Sequence, residues 1–247
     1  MFFVEPQPTR FDITFSIFGI PTRIHPGFWI LGLLLRFQVG DMRLTTIWIG
    51  CLFGSILVHE LGHALVAQKY GWAPRIVLYH FGGLAPFQPS WGYTRKRSIL
   101  LLLAGPGAGF LLYGIVLAVE HRLIAALLDG QEWATRLLAS PLNAPGEPRF
   151  IPGTVFAIAQ LKWINLYWGL MNLLPVYPLD GGQVCSEVLN ARSGRKGMMR
   201  THQVGMVTGA AAALFFVSQD RMFAGLMFAG IAYDNYQKYE RLSKYQY

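Results

Sequence analysis

The sequence predicts an all-α membrane protein of about six transmembrane helices with a short re-entrant β-hairpin. Three observations carry that reading. Of 247 residues, 53% are hydrophobic and 14% charged, against the roughly 25% charged of ordinary soluble domains. Several apolar runs approach the roughly 20 residues that a bilayer-spanning helix needs. One further apolar segment is too short to span and is broken by adjacent glycines.

The candidate spans lie near residues 26–37, 45–67, 98–119, 155–174, 201–217 and 222–232. The purely apolar parts of the first and last are short, so both borrow flanking residues. Segment 75–88, RIVLYHFGGLAPFQ, is rich in Val, Ile, Tyr and Phe and reads as a strand or re-entrant hairpin broken at Gly82 and Gly83. Past Glu120 an amphipathic piece, 123–138, is ended by a stretch containing Pro and Gly. With no internal repeat and no room for a soluble domain, 1–247 reads as a single polytopic domain. The first 25 residues lack the positive-then-apolar order of a cleavable signal, so the first span is expected to target the chain. Cys51 and Cys185 are too few for a disulfide framework or a thiolate zinc site.

The net charge of +8 is distributed as membrane orientation predicts. With the N-terminus cytoplasmic, basic residues on the inner side outnumber those on the outer side by about two to one, which places both termini in the cytoplasm of a multi-pass cell-membrane protein. Runs such as Arg95, Lys96 and Arg97 then sit inside, where they anchor the third span to anionic lipid. No basic patch with interleaved aromatics is present, so nucleic acid is not an expected partner.

Residues 58–71, VHELGHALVAQKYG, set two histidines and a glutamate inside the second apolar run. Ionisable groups inside a membrane are expensive and point to function. His59 and His63 are four residues apart, so on a helix they share one face and can hold one metal ion through two imidazoles. Glu60 lies next to that face, in reach of a water at the metal. This HExxH arrangement supplies two ligands and a general base for metal-assisted hydrolysis. A structural pairing between packed helices is the bland alternative.

A catalytic zinc needs a third protein ligand and an open position. The candidates are Asp180, Glu187, His80, His202 and His25. Asp180 follows the fourth span in NLLPVYPLDGG, where Pro175 and Pro178 end the helix and Gly181 and Gly182 permit a tight backbone. His59 lies about 21 Å along the second span at the helical rise, towards the cytoplasmic end, and Asp180 lies at the inner end of the fourth. Of the other histidines, His25 reads as a residue at the mouth of the first span, His80 as structural, and His202 as a cap or interface residue. The small-residue runs at 105–109 and 209–213 read as close helix contacts.

The pair HELGH and NLLPVYPLDGG, with IHPGF before the first span, FGG in the hairpin and AGPGAG at the third span, resembles the site-2 protease family of intramembrane zinc metalloproteases. The resemblance implies that His59, His63 and Asp180 bind one Zn2+, with site halves in the spans near 45–67 and 155–182. It also implies that Glu60 is the general base and that Asn172 lies beside the metal, helping to position substrate or oxyanion. Gly82 and Gly83 would offer an edge to an extended substrate. The expected function is hydrolysis of peptide bonds within or next to transmembrane segments, near the cytoplasmic face. The expected substrates are anti-sigma factors, single-span regulators or signal-peptide remnants. The PDZ and CBS modules of better-known members are not found, and Tyr177 stands where many relatives have proline. The rival readings are a metal transporter or sensor using the same histidines, and an inactive binding scaffold.

Overall fold

The computed structural model describes residues 5–36, 41–80, 82–86, 92–138 and 153–244. Their elements run β1 (Ile13–Ile17), β2 (Ile20–Ile24), α1 (Pro26–Arg36), α2 (Met42–Lys69), β3 (Ile76–Tyr79), β4 (Gly82–Leu84), α3 (Arg95–Leu128), α4 (Glu132–Leu138), α5 (Gly153–Asn172), α6 (Asp180–Ser193), α7 (Arg195–Ser218) and α8 (Met222–Lys244). All six predicted spans fall on helices. Two of them, α2 and α3, are long and apolar enough to cross a membrane by length and composition.

The expected lone hairpin is corrected to half of a sheet. β3 and β4 do form it, but β3 also pairs in parallel with β2, which pairs antiparallel with β1, giving the order β1-β2-β3-β4. The N-terminal hairpin was hidden by Pro21 inside β2, a residue that argues against a paired strand. The structure accommodates it because the ladder to β3 begins at Thr22, one residue later. The β1–β2 turn has Phe18 at φ 51° and Gly19 at φ 77°, the double left-handed geometry that suits the twist of a two-residue hairpin. The amphipathic piece 123–138 is divided between the end of α3 and α4, and the stretch from 139 to 152 lies outside the described residues.

The chain divides into two compact units. One comprises the described residues between 5 and 86 and between 107 and 169, the other those between 92 and 106 and between 170 and 244. In the former, every residue of β3 is buried. Ile76 and Leu78 join Ile20, Ile24, Phe28, Ile56 and Ala64 in one core that binds the sheet to α1 and α2. Asp41 caps α2 by accepting from the amides of Arg43 and Leu44. Helix α5 packs on α3 where Gly169 faces the Phe110 ring; a Cβ there would come within 2.8 Å of that ring. Lys162 of α5 donates to both carboxylate oxygens of Glu120 on α3, at 2.6 and 2.7 Å.

The same unit carries an ionic network ahead of β1. Arg23 donates to Asp12 at 2.8 Å and to Glu5 at 3.0 Å, and Arg75 donates to Glu5 at 2.6 Å. Burial pushes the Asp12 carboxyl up, but hydrogen bonds from Thr9 and Arg23 and the guanidinium charge together outweigh it and hold the group at about 2. A depressed carboxylate stabilises the fold above its ordinary value near 4 and loses that contribution as pH falls from about 4 through about 2. Amide protection of β1 and β2, corrected for intrinsic exchange, is therefore expected to drop across that window. Arg23→Ala should flatten the dependence.

In the other unit, α7 and α8 form an antiparallel pair with Phe216 stacked on Phe228 at 5.4 Å. Val176, Ala213, Phe228 and Ile231 make its core. The close helix contact expected at 209–213 is present, since a Cβ at Gly209 would lie 3.1 Å from that of Ala232. Helix α6 was not anticipated, because its mean character is polar and its first residues read as a turn.

Candidate metal centre

The buried positions of α2 from Ser55 onward are Ser55, Ile56, His59, Glu60, His63, Ala64 and Ala67. They recur every three or four residues, which is one helix face. Packing alone would be served by apolar side chains there, yet three of the seven are ionisable. The Nε2 atoms of His59 and His63 approach to 3.2 Å, with ring planes 78° apart. Two imidazole nitrogens bound to one tetrahedral zinc, each at about 2.0–2.1 Å, are separated by roughly 3.3 Å. The pair thus fits the chemistry and the spacing of two zinc ligands.

Glu60 is 5% exposed and its side chain packs against Gly83 of β4. A Cβ on Gly83 would overlap the glutamate carboxyl group, so glycine at this position is what lets the strand lie over the carboxylate. Gly82 is constrained twice: its φ is +120°, and a Cβ there would come within 2.8 Å of the Trp168 ring on α5. Among the described residues β4 is one of the two edge strands of the sheet. His59, Glu60, His63, Gly82 and Gly83 are accordingly brought together in one unit.

Asp180 and Asn172 belong to the other unit. Asn172 ends α5, and Asp180, 8% exposed, is the first residue of α6. Gly181 and Gly182 sit directly on the backbone of Leu173, Leu174, Val176 and Tyr177, with no room for a Cβ at either.

The other candidates for a third ligand have structural work. Glu187 accepts from Ser98 Oγ at 2.8 Å and from the Tyr93 hydroxyl, and Arg95 lies 4.0 Å away. His25 Nδ1 accepts from the Gly27 amide at 3.0 Å at the start of α1, and His80 flanks the same glycine. His202, expected to cap a helix or face an interface, is instead buried and bonded to Asn235 at 2.9 Å.

Residues 47–216 match peptidase family M50. The chain belongs to that family. Among M50 relatives, a zinc metalloprotease of Methanocaldococcus jannaschii is 28% identical over 207 residues, covering 82% of this chain and 52% of that protein. Stage IV sporulation protein FB of Bacillus subtilis is 25% identical over 225 residues, covering 88% of this chain and 66% of its own length. The chain spans about half the length of the first of these curated relatives. Its fold is that of the site-2 protease from Methanocaldococcus jannaschii, with a TM-score of 0.60 at 22% identity over 93% of this chain and 95% of the other.

Sequence reasoning missed two buried amides. Asn165 on α5 donates to Ser55 Oγ of α2 at 2.9 Å, one turn before His59. Asn235 on α8 is fully buried. Asn165 lies in an apolar run, where a polar side chain was the signal available for finding it, whereas Asn235 stands in a polar stretch beyond the sixth span, where one more polar residue gives no signal.

Proposed function

We propose that this M50 chain is a zinc-dependent intramembrane endopeptidase, a single polytopic catalytic domain. It hydrolyses peptide bonds within or next to transmembrane segments near the cytoplasmic face. The observation that carries the reading is the buried His59–His63 pair, at ligand spacing, with Glu60 seated under an edge strand. His59, His63 and Asp180 hold one zinc. When bound there, the metal would supply Lewis acidity to the attacking water and the scissile carbonyl. Glu60 takes the proton of the attacking water and returns it to the leaving amine as the peptide C–N bond breaks. Asn172 positions substrate or the developing oxyanion.

An extended substrate segment adds to the outer edge of β4 by main-chain pairing, which carries it past Gly83 and so past the Glu60 carboxylate. A transmembrane helix must unwind first, so substrates with helix-breaking residues are cut faster. The partners are the bilayer and membrane-protein substrates such as anti-sigma factors, single-span regulators or signal-peptide remnants. The chain is multi-pass with both termini cytoplasmic. Support for the membrane setting comes from the inversion of polarity, with Leu111, Leu214 and Leu226 of α3, α7 and α8 between 65 and 73% exposed while His59, Glu60 and His63 are buried.

The test is zinc content beside cleavage of a single-span substrate, with purified wild type, His59→Ala and Asp180→Ala. Wild type is expected to hold about one zinc and to cut, and each variant to lose both properties, since one missing ligand leaves too few to keep the metal. Zinc retention by Asp180→Ala would remove it as a ligand. A zinc-loaded wild type that cuts no transmembrane segment would give way to the transporter or scaffold reading.

A further inference from the structure

The segment between α5 and α6 must hold Asp180 in place, yet two of its residues are prolines, whose nitrogens donate nothing. Its backbone bonds run from Leu173 to Leu170 at 3.2 Å, Leu174 to Met171 at 3.1 Å, Val176 to Leu174 at 2.7 Å, Leu179 to Val176 at 2.8 Å and Gln183 to Leu179 at 2.9 Å, with Gln183 Nε2 on the Pro178 carbonyl at 3.0 Å, and none of these involves Tyr177. Tyr177, three residues before Asp180, is held instead from α7 and α8. Asn235 Nδ2 donates to the Tyr177 carbonyl at 2.6 Å and to the Ile231 carbonyl at 2.9 Å. With both amide hydrogens on carbonyl oxygens, Oδ1 must be the atom facing His202 Nδ1 at 2.9 Å. His202 is therefore the donor, with its proton on Nδ1.

The fit around these groups is close. A Cβ on Gly205 of α7 would come within 2.7 Å of Asn235 Oδ1. The Tyr177 ring meets the His202 ring edge-on at 5.5 Å, and Lys238 Nζ lies 4.9 Å from its centroid. Residue 177 is gripped by main chain and side chain together. A shift at Tyr177 passes to α6, because Gly182 packs on the Val176–Tyr177 backbone without space for a Cβ.

We propose that Asn235, oriented by His202, is a positioning residue for Asp180, fixing the Tyr177 carbonyl and through it the first turn of α6. The inference rests on the zinc reading given above. Groups that orient metal ligands from outside the coordination shell typically change affinity by about 10- to 100-fold when removed, and the pair belongs to that class. Burial of an amide that merely joins two helices would affect stability alone.

The experiment measures zinc affinity by competition with a chelator, beside thermal stability of the zinc-free protein. Asn235→Asp keeps the side-chain volume and an acceptor for His202 but loses the donor to Tyr177. It is expected to weaken zinc binding about 10- to 100-fold. Asn235→Ala should act in the same direction, and where it fails to fold the aspartate variant still decides. Thr201→Val, which removes a buried hydroxyl bonded within α7 to Gly197, should lower stability with zinc affinity unchanged. If Asn235→Asp lowers stability but leaves zinc affinity at the wild-type value, the inference is overturned and Asn235 is a helix-packing amide. Absence of zinc binding in wild type overturns the metal reading itself, and unaltered binding in Asp180→Ala removes Asp180 as a ligand, so those two proteins tell failure of the zinc reading from failure of the inference.

Discussion

Glu60→Gln is expected to abolish cleavage while leaving zinc content and fold intact. The substitution preserves volume and hydrogen-bonding reach, so packing against Gly83 persists, but a carboxamide cannot accept the proton of the attacking water. Loss of a positioned general base typically lowers a rate by about 100- to 10,000-fold. Glu60 is not among the proposed ligands, so metal analysis should read as in wild type. The contrast with Asp180→Ala, where metal and activity disappear together, assigns the two carboxylates to different tasks. Wild-type cleavage by Glu60→Gln would remove the glutamate from the mechanism. A change confined to metal affinity or flux would favour a transporter.

Gly83→Ala is expected to lower the turnover rate by about 100-fold with zinc retained. A methyl group at this position would overlap the Glu60 carboxyl. The carboxylate is buried, so it must move or β4 must lift away. A displacement on the order of 1 Å in a catalytic group can remove about two orders of magnitude in rate. The matched control is Gly54→Ala on α2, where an added Cβ meets nothing within 4 Å, and which should stabilise the helix slightly and leave cleavage unchanged. Undiminished turnover in Gly83→Ala would show that β4 does not seat the carboxylate.

Much of this was legible from the chain, and the reasons differ by element. Long apolar runs announce helices through length alone, so all six predicted spans fall on helices. The spacing of His59, Glu60 and His63 needed only a helix to become a cluster, and α2 supplies it. FGG was read as a hairpin break, and the structure gives each glycine a separate cause: Trp168 and a positive φ at Gly82, the Glu60 carboxyl at Gly83. The N-terminal hairpin escaped because strands of five residues carry little periodic signal and Pro21 masked one of them. Helix α6 escaped because its first turn looks like a loop in sequence. Asn235 escaped for a deeper reason: it holds the Tyr177 backbone carbonyl, 58 residues away, and main-chain acceptors leave no mark in a sequence.

The parallel pairing of Ile24 with Leu78 and of Thr22 with Ile76 imposes a parity rule on the chain. Two segments can share one ladder only where they lie on the same side of any bilayer, so the intervening residues must cross it an even number of times. Helices α1 and α2 must therefore act as an outward and return pair or not cross at all. An odd count is forbidden by hydrogen bonds that lie in neither helix. The same ladder sets an order for biogenesis: β2 emerges early but waits for α2 to be delivered before its second neighbour exists. Until then β1 and β2 form a two-stranded ribbon, an assembly that is marginal alone in water.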